Sequence, residues 1–253
     1  LRMMRAIRFM AELGFKIDAD TLSSIEQSNY LIENISAERI RDELNKMLLG
    51  PFVKNATMIL YSSGLQTYII PESKSNLGKD TVEIIASLLP LCGKDIVERL
   101  CAFLIWTVEL KDRQNLLNKI LRRLRYDNST RHNVVKILCS IDIPIDANEP
   151  RIKYRLRKLM GSIGIENTII VLRLKKLLGY SIEDIDNIVN SILEDEDPIL
   201  KSQLAIDGHD IMSMGIGSED KRDIGRALDI AYDWVLQDPN LNDKQILIQK
   251  FKK

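Results

Sequence analysis

Apolar residues recur at three- and four-residue spacing along almost the whole chain, and nearly every run stops at a glycine, a proline or a short polar break. That period builds helices that bury one stripe each, while the two-residue alternation of strands is confined to pieces such as Thr67–Ile70 and Ile141–Ile145. The expected fold class is all-α, an elongated multi-domain helical array.

The punctuation locates the first elements. A helix runs from the start through Leu13 and stops at Gly14, a glycine suited to the left-handed position after a helix. A second begins near Asp20-Thr21 and fades by Asn29. Ser36 is placed to cap a third, with Glu38 in its first turn and Ile35 and Ile40 set as a hydrophobic staple. Gly50 and Pro51 close it, and Pro51 also suits the first position of a fourth helix that ends at Gly64. The polar stretch Pro71–Asp80, with Ser73, Ser75, Asn76 and Gly78, marks a boundary. Helix then follows helix to Leu193, with breaks at Gly93, Asp127–Thr130, Asp142–Pro150, Gly161–Gly164 and Gly179, and with no fixed repeat period. Pro198 lies near a second boundary. A clean amphipathic helix is expected from about Ser218 to Leu236, and a short one after Asp238-Pro239-Asn240. The expected domains are residues 1–72, 73–199 and 200–253.

Composition excludes several classes. With 45% apolar residues the bulk of the chain is not disordered, and the longest apolar runs fall far short of a membrane span. Cys92, Cys101 and Cys139 form neither a disulfide framework nor a zinc spacing, so a reducing cytoplasm is the expected setting. No secretory signal opens the chain, and a start at Leu1 without an initiator Met reads as a fragment. The two histidines, His132 and His209, make no cluster; His209, after Gly208 and beside Asp210, reads as a turn or cap residue. Gly215-Ile216-Gly217 reads as a flexible turn. Without a nucleophile elbow, a P-loop or a metal-binding helix motif, these residues do not make a self-sufficient enzyme.

Charge balances in sum, 36 basic against 36 acidic, but not in place. Lys111–Lys176 holds 16 Lys or Arg against 6 Asp or Glu, an imbalance suited to phosphates and equally to long solvated helix faces. Glu183–Asp197 holds 7 acids and no base, and reads as a helix end and turn before Pro198. On the first helix, Arg2, Arg5 and Arg8 share one face opposite Met3, Ala6, Ile7, Met10 and Leu13. Three guanidiniums side by side suit phosphates or base edges; the competing reading is a solvated face with acidic neighbours from another element.

The opening Leu1-Arg2-Met3-Met4-Arg5-Ala6-Ile7-Arg8-Phe9 with Glu12-Leu13-Gly14-Phe15 resembles a hallmark of the class II tRNA nucleotidyltransferase and bacterial poly(A) polymerase family. Ile35-Ser36-Ala37-Glu38-Arg39-Ile40 and Leu48-Leu49-Gly50-Pro51 follow at that family's spacing. So does the tail, Asp207-Gly208-His209-Asp210-Ile211 leading to the helix Ile224–Leu236, while Leu121–Tyr126 is the main landmark between.

The resemblance implies helical neck, body and tail regions without the catalytic head, which carries the Mg2+-binding carboxylates. It implies CTP and ATP as substrates, tRNA as partner, and template-independent addition of CMP and AMP to the tRNA 3′ end. The family's Glu-Asp-x-x-Arg motif matches its Arg to Arg2, which puts the two acids before Leu1, and the next nucleotide-binding arginines match Arg5 and Arg8. An Arg and an Asp would then read the Watson–Crick edge of the incoming nucleotide. Body and tail would hold tRNA, with Arg122, Arg123, Arg125, Arg131, Arg155, Arg157 and Lys158 as expected RNA contacts and the Gly208–Gly217 loop at the tRNA elbow. Alternatives are a poly(A) polymerase, a CC- or A-adding enzyme, or a non-catalytic helical RNA-binding module.

Overall fold

A computed structural model describes residues 1–73, 77–108, 110–182, 184–217 and 220–252. Among them there is no strand. Fifteen α-helices occur: α1 (Arg2–Leu13), α2 (Ala19–Ser28), α3 (Ala37–Leu49), α4 (Val53–Ser62), α5 (Leu65–Ile69), α6 (Lys79–Leu88), α7 (Ile96–Leu104), α8 (Arg113–Arg123), α9 (Asn128–Ser140), α10 (Ile152–Ile163), α11 (Ile165–Leu177), α12 (Ile185–Glu194), α13 (Gly208–Ser213), α14 (Arg222–Gln237) and α15 (Lys244–Phe251). The all-α expectation holds, and the alternating piece Thr67–Ile70 is mostly the short helix α5. Among the described residues no helix is long and apolar enough to cross a membrane. Contacts divide the chain into two compact units, residues 1–142 with 173–178, and residues 143–172 with 179–253.

The first unit is organised around α1. Met4, Ile7, Met10 and Ala11 are buried where α1 packs on α3 and α4; of the expected stripe only Ile7 and Met10 are buried, Met3 and Ala6 are partly covered and Leu13 is exposed. The helix ends as expected: Gly14 adopts φ 75° and its N–H closes the last turn on Met10. Gly50 fixes the corner between α3 and α4. A Cβ there would lie 2.5 Å from the Ala11 carbonyl oxygen, so only glycine lets the corner approach the α1 backbone. Beside it, the Phe52 N–H donates to Ala11 O at 2.9 Å. That engagement holds 50–52 in a turn, and α4 starts at Val53 rather than at Pro51. Two caps also differ from expectation. α2 is capped by Asp18, two residues before Asp20, and its carboxylate accepts from the Thr21 N–H at 2.8 Å and the Thr21 hydroxyl at 2.7 Å. Ser36 occupies the N-cap of α3 in extended backbone but makes no side-chain cap bond.

The α8–α9 hairpin joins this unit through the segment between its helices. Leu121, Leu124 and Tyr126 are buried, and the Tyr126 hydroxyl donates to Asn45 Oδ1 at 2.5 Å. Arg123 donates to both oxygens of Glu72, at 3.0 and 2.8 Å, and to Ile69 O at 2.6 Å. Burial alone would push the Glu72 carboxyl up, but the Arg123 hydrogen bonds and charge outweigh it and hold Glu72 below the usual carboxylate range.

The second unit has two apolar clusters. Ile152, Leu156 and Met160 of α10 meet Leu172, Ile182, Ile185, Val189, Ile192 and Ile199. Ile206, Ile211, Ala227, Ala231, Val235 and Leu247 form the other, among α13, α14 and α15. α10 and α14 are joined by polar bonds: Tyr154 donates to Asp233 Oδ1 at 2.6 Å, and Arg157 donates to Leu236 O at 3.0 Å. Asp207 caps α13 and accepts from the His209 and Asp210 N–H groups, which puts His209 in the first turn. The expected start of the long tail helix, Ser218, lies outside the described residues, as do Ser75 and Asn76 of the polar boundary and Glu183 of the acidic run.

Two glycines should respond to alanine with opposite signs. Gly50→Ala drives a methyl group into backbone and should destabilise by about 1–3 kcal/mol. Gly225, in α14 with nothing within 4 Å of its Cβ position, should gain up to about 1 kcal/mol on Gly225→Ala. Urea titrations of both variants check this, and a neutral Gly50→Ala would contradict the corner packing. Glu72→Gln should cost about 1–3 kcal/mol at pH 7. A depressed folded-state pKa stabilises above the unfolded value and ceases to do so as pH falls through the folded one. The gap between wild type and Glu72→Gln should therefore narrow as urea midpoints are taken from pH 7 toward about pH 3.

Candidate nucleic-acid interface

The α1 face opposite the buried stripe carries Arg2, Arg5 and Arg8, as helical spacing requires, but the three have different surroundings. Arg2 and Arg5 are exposed. Arg8 is largely covered, its side chain 11% exposed. Its Nη1 donates to Glu12 at 2.7 Å, and its Nε lies 2.6 Å from a Glu43 oxygen on α3, close enough to pair although off the alignment of a hydrogen bond. The guanidinium also lies over the Phe9 ring, 4.1 Å from its centre, with Arg5 at 5.7 Å. Arg8 is thus fixed by two carboxylates and an aromatic face, while Arg2 and Arg5 project openly.

The basic residues of the middle of the chain separate in the same way. Arg123 is committed to Glu72 and Ile69 O, and Arg125, at φ 58°, leaves its side chain 69% exposed with Glu38 3.7 Å away. The Arg125 carbonyl accepts from Arg41 of α3 at 2.5 Å, which holds this turn against the first unit's core. Arg122 is exposed and has no partner among the described residues. Arg131 donates to Asn128 Oδ1 at 2.8 Å.

Arg122 and Arg131 belong to a groove of about 740 Å³ along the α8–α9 hairpin. One wall is Gln114, Asn118 and Arg122 of α8, and the other includes Asn128, Arg131, His132 and Lys136 of α9. Gln114, Asn118 and Lys136 were not among the residues the sequence singled out, and His132 stood there only as a histidine without a cluster. The signal was there as two rows at four-residue spacing, 114/118/122 and 128/132/136, which a helix turns into two facing stripes.

In the second unit Arg155 pairs with Glu149 at 2.9 Å, and Lys158 accompanies the Tyr154 hydroxyl at 2.9 Å and Asp233 at 3.6 Å, its side chain 61% exposed. Arg157 is different: its side chain is 6% exposed and its Nε donates to Asp197 at 2.7 Å, which leaves it no surface to offer RNA. Asp197 ends the acidic run, so part of that run is a buried counter-ion. Gly215 and Gly217 both take φ 84°, and a Cβ on Gly217 would collide with Ile224. Among the described residues no group of three or more His, Cys, Asp or Glu side chains could hold a metal ion, so the side chains here do not fit a Mg2+ site.

Residues 14–77 match the family described as the probable RNA and SrmB-binding site of polymerase A. The CCA-adding enzyme of Geobacillus kaustophilus (strain HTA426) is 48% identical over 69 residues, 27% of this chain and 17% of that protein. The CCA-adding enzyme of Ligilactobacillus salivarius (strain UCC118) is 27% identical over 256 residues, all of this chain and 59% of that protein. Among solved structures, the Bacillus stearothermophilus CCA-adding enzyme, crystallised with CTP, superposes with a TM-score of 0.71 at 23% identity, covering 99% of this chain and 61% of that one. Where the match runs along most of the chain, the chain spans about half to three fifths of the relatives' length. The chain is thus similar to CCA-adding enzymes along its full length, and residues 14–77 match the polymerase A RNA-binding family.

Proposed function

We propose that this chain is the C-terminal portion of a CCA-adding tRNA nucleotidyltransferase, supplying nucleotide-recognition arginines and tRNA contacts for addition of CMP and AMP to the tRNA 3′ end. Similarity to such an enzyme over the whole chain carries this reading, and the exposed Arg2 and Arg5 agree with it. On this reading residues 1–72 are the neck, 73–199 the body and 200–253 the tail, in a cytoplasmic protein. The Mg2+-binding carboxylates belong to a head outside this chain.

Arg2 and Arg5 present guanidinium forks to the base edge and phosphates of CTP or ATP. Arg8, already bound by Glu12 and Glu43, positions that face rather than meeting the nucleotide directly. Arg122, Arg125, Arg131, Arg155 and Lys158 face tRNA, while Arg123 and Arg157 hold the helices that carry them.

The chain by itself, given tRNA lacking its 3′ end, CTP, ATP and Mg2+, should add no nucleotide; extension would overturn the division of labour. In the protein that includes the upstream head, Arg2→Ala and Arg5→Ala should each raise KM for CTP and ATP by about tenfold or more, the loss of one charged hydrogen bond. Affinity for tRNA should change little. Weakened tRNA binding at unchanged nucleotide KM would place these arginines on RNA instead. Extension by ATP alone, without CTP, would favour a poly(A) polymerase.

A further inference from the structure

The groove between α8 and α9 has a composition that a solvated helix pair does not require. Its walls carry Arg122, Arg131, His132 and Lys136 with the amides of Gln114 and Asn118, and no carboxylate lines it. The side chains of Arg122, His132 and Lys136 have no hydrogen-bond or ion-pair partner among the described residues. The nearby acid in sequence, Asp127, is committed to the N–H and hydroxyl of Thr130, at 2.9 and 2.6 Å. Elsewhere in this chain arginines in or near packed regions are bound by carboxylates, as Arg8, Arg113, Arg123 and Arg157 are, or by carbonyls, as Arg99 is. A groove that gathers cations and leaves them unpaired has an electrostatic deficit that an anion would fill.

Its length points to the kind of anion. Gln114 to Arg122 spans eight residues of helix, about 12 Å at 1.5 Å per residue. The hairpin turns between Arg123 and Asn128, so Arg122 lies at the turn end and Lys136 towards the open end. Cations at both ends, with the Asn118 amide and the His132 imidazole between, suit a strand that repeats a phosphate and offers ribose hydroxyls in the interval. A single small anion would need only one end.

We infer that the α8–α9 groove is a discrete RNA-backbone site, in which Arg122 and Lys136 hold phosphates of one strand at its two ends, Asn118 bonds a ribose between them and Gln114 adds a bond at the open end. This rests on the proposed function insofar as that reading makes tRNA the partner, but it assigns the contact to one groove and adds Lys136, His132, Asn118 and Gln114 to it.

The test uses the whole chain and tRNA lacking its 3′ CCA, followed by fluorescence anisotropy from about 50 to 200 mM salt. Arg122→Gln with Lys136→Gln should weaken binding about tenfold or more at the low end. It should also reduce the slope of log K against log salt by roughly 1.5–2, near one unit per lost phosphate contact. Asn118→Ala should weaken binding severalfold with the slope unchanged, because it removes a hydrogen bond and no counterion-releasing charge. These side chains are on the groove surface, and unchanged helical circular dichroism verifies that the variants fold. With only two histidines in the chain, the His132 ring signals are resolved by NMR and assigned with His132→Gln; they should shift as tRNA is added. Steep, salt-dependent binding by wild type together with an unchanged Arg122/Lys136 double variant would overturn this site and leave the RNA reading standing. Wild type that fails to bind tRNA, or binds it without salt dependence, would overturn both.

Discussion

A chain built almost wholly of helices must find partners for the carbonyls left over at every helix C-terminus, and here arginine side chains supply many of them. Arg99, buried, donates to Leu48 O near the end of α3 at 3.2 Å and to Cys92 O and Gly93 O beyond α6 at 3.0 and 2.7 Å. Arg113 reaches Leu138 O in the last turn of α9 at 2.9 Å, Arg123 reaches Ile69 O at the end of α5, and Arg157 reaches Leu236 O in the last turn of α14. The bonds to Leu48, Leu138, Ile69 and Leu236 set a positive fork against the negative end of a helix, and three of these arginines also hold a carboxylate. The helices are thereby tied end to side across long stretches of sequence.

That use of arginine explains why local charge is an incomplete guide to a binding surface. The basic excess of Lys111–Lys176 includes Arg113, Arg123 and Arg157, all committed inside their own unit. Their acidic partners are invisible to any local count: Glu72 lies 51 residues from Arg123, and Asp197 lies 40 from Arg157. Once those pairs are set aside, the open basic residues of the hairpin stand out as a smaller group with a definite place.

Local chemistry was legible where backbone geometry leaves one good solution. Gly14 and Gly64 take positive φ at helix boundaries because other residues there would be strained. Legibility failed where several residues could do one job. Asp18 and Asp20 are both competent caps, and Thr21 lies three residues after the former, where its N–H and hydroxyl can both bond the carboxylate. Pro51 suits a helix start, but the bond from Phe52 N–H to Ala11 O fixes the corner differently, and Ala11 belongs to another helix. A tertiary bond of that kind leaves no trace in the neighbouring residues.

The two basic faces show the same limit at side-chain level. A helical wheel correctly groups Arg2, Arg5 and Arg8, yet it carries no information about α3, which brings Glu43 to Arg8 alone. A guanidinium between two carboxylates has little net field left for a distant anion, so attraction on this face comes from Arg2 and Arg5, and Arg8 contributes rigidity. In the hairpin the division falls between adjacent residues: Arg123 points into Glu72 and Arg122 into open groove. Neighbours on a helix diverge by about 100°, enough to send one into the packed interior and the other to the surface. Basic runs in such a chain are therefore read by helical phase: one residue locks the scaffold while its neighbour stays open to solvent.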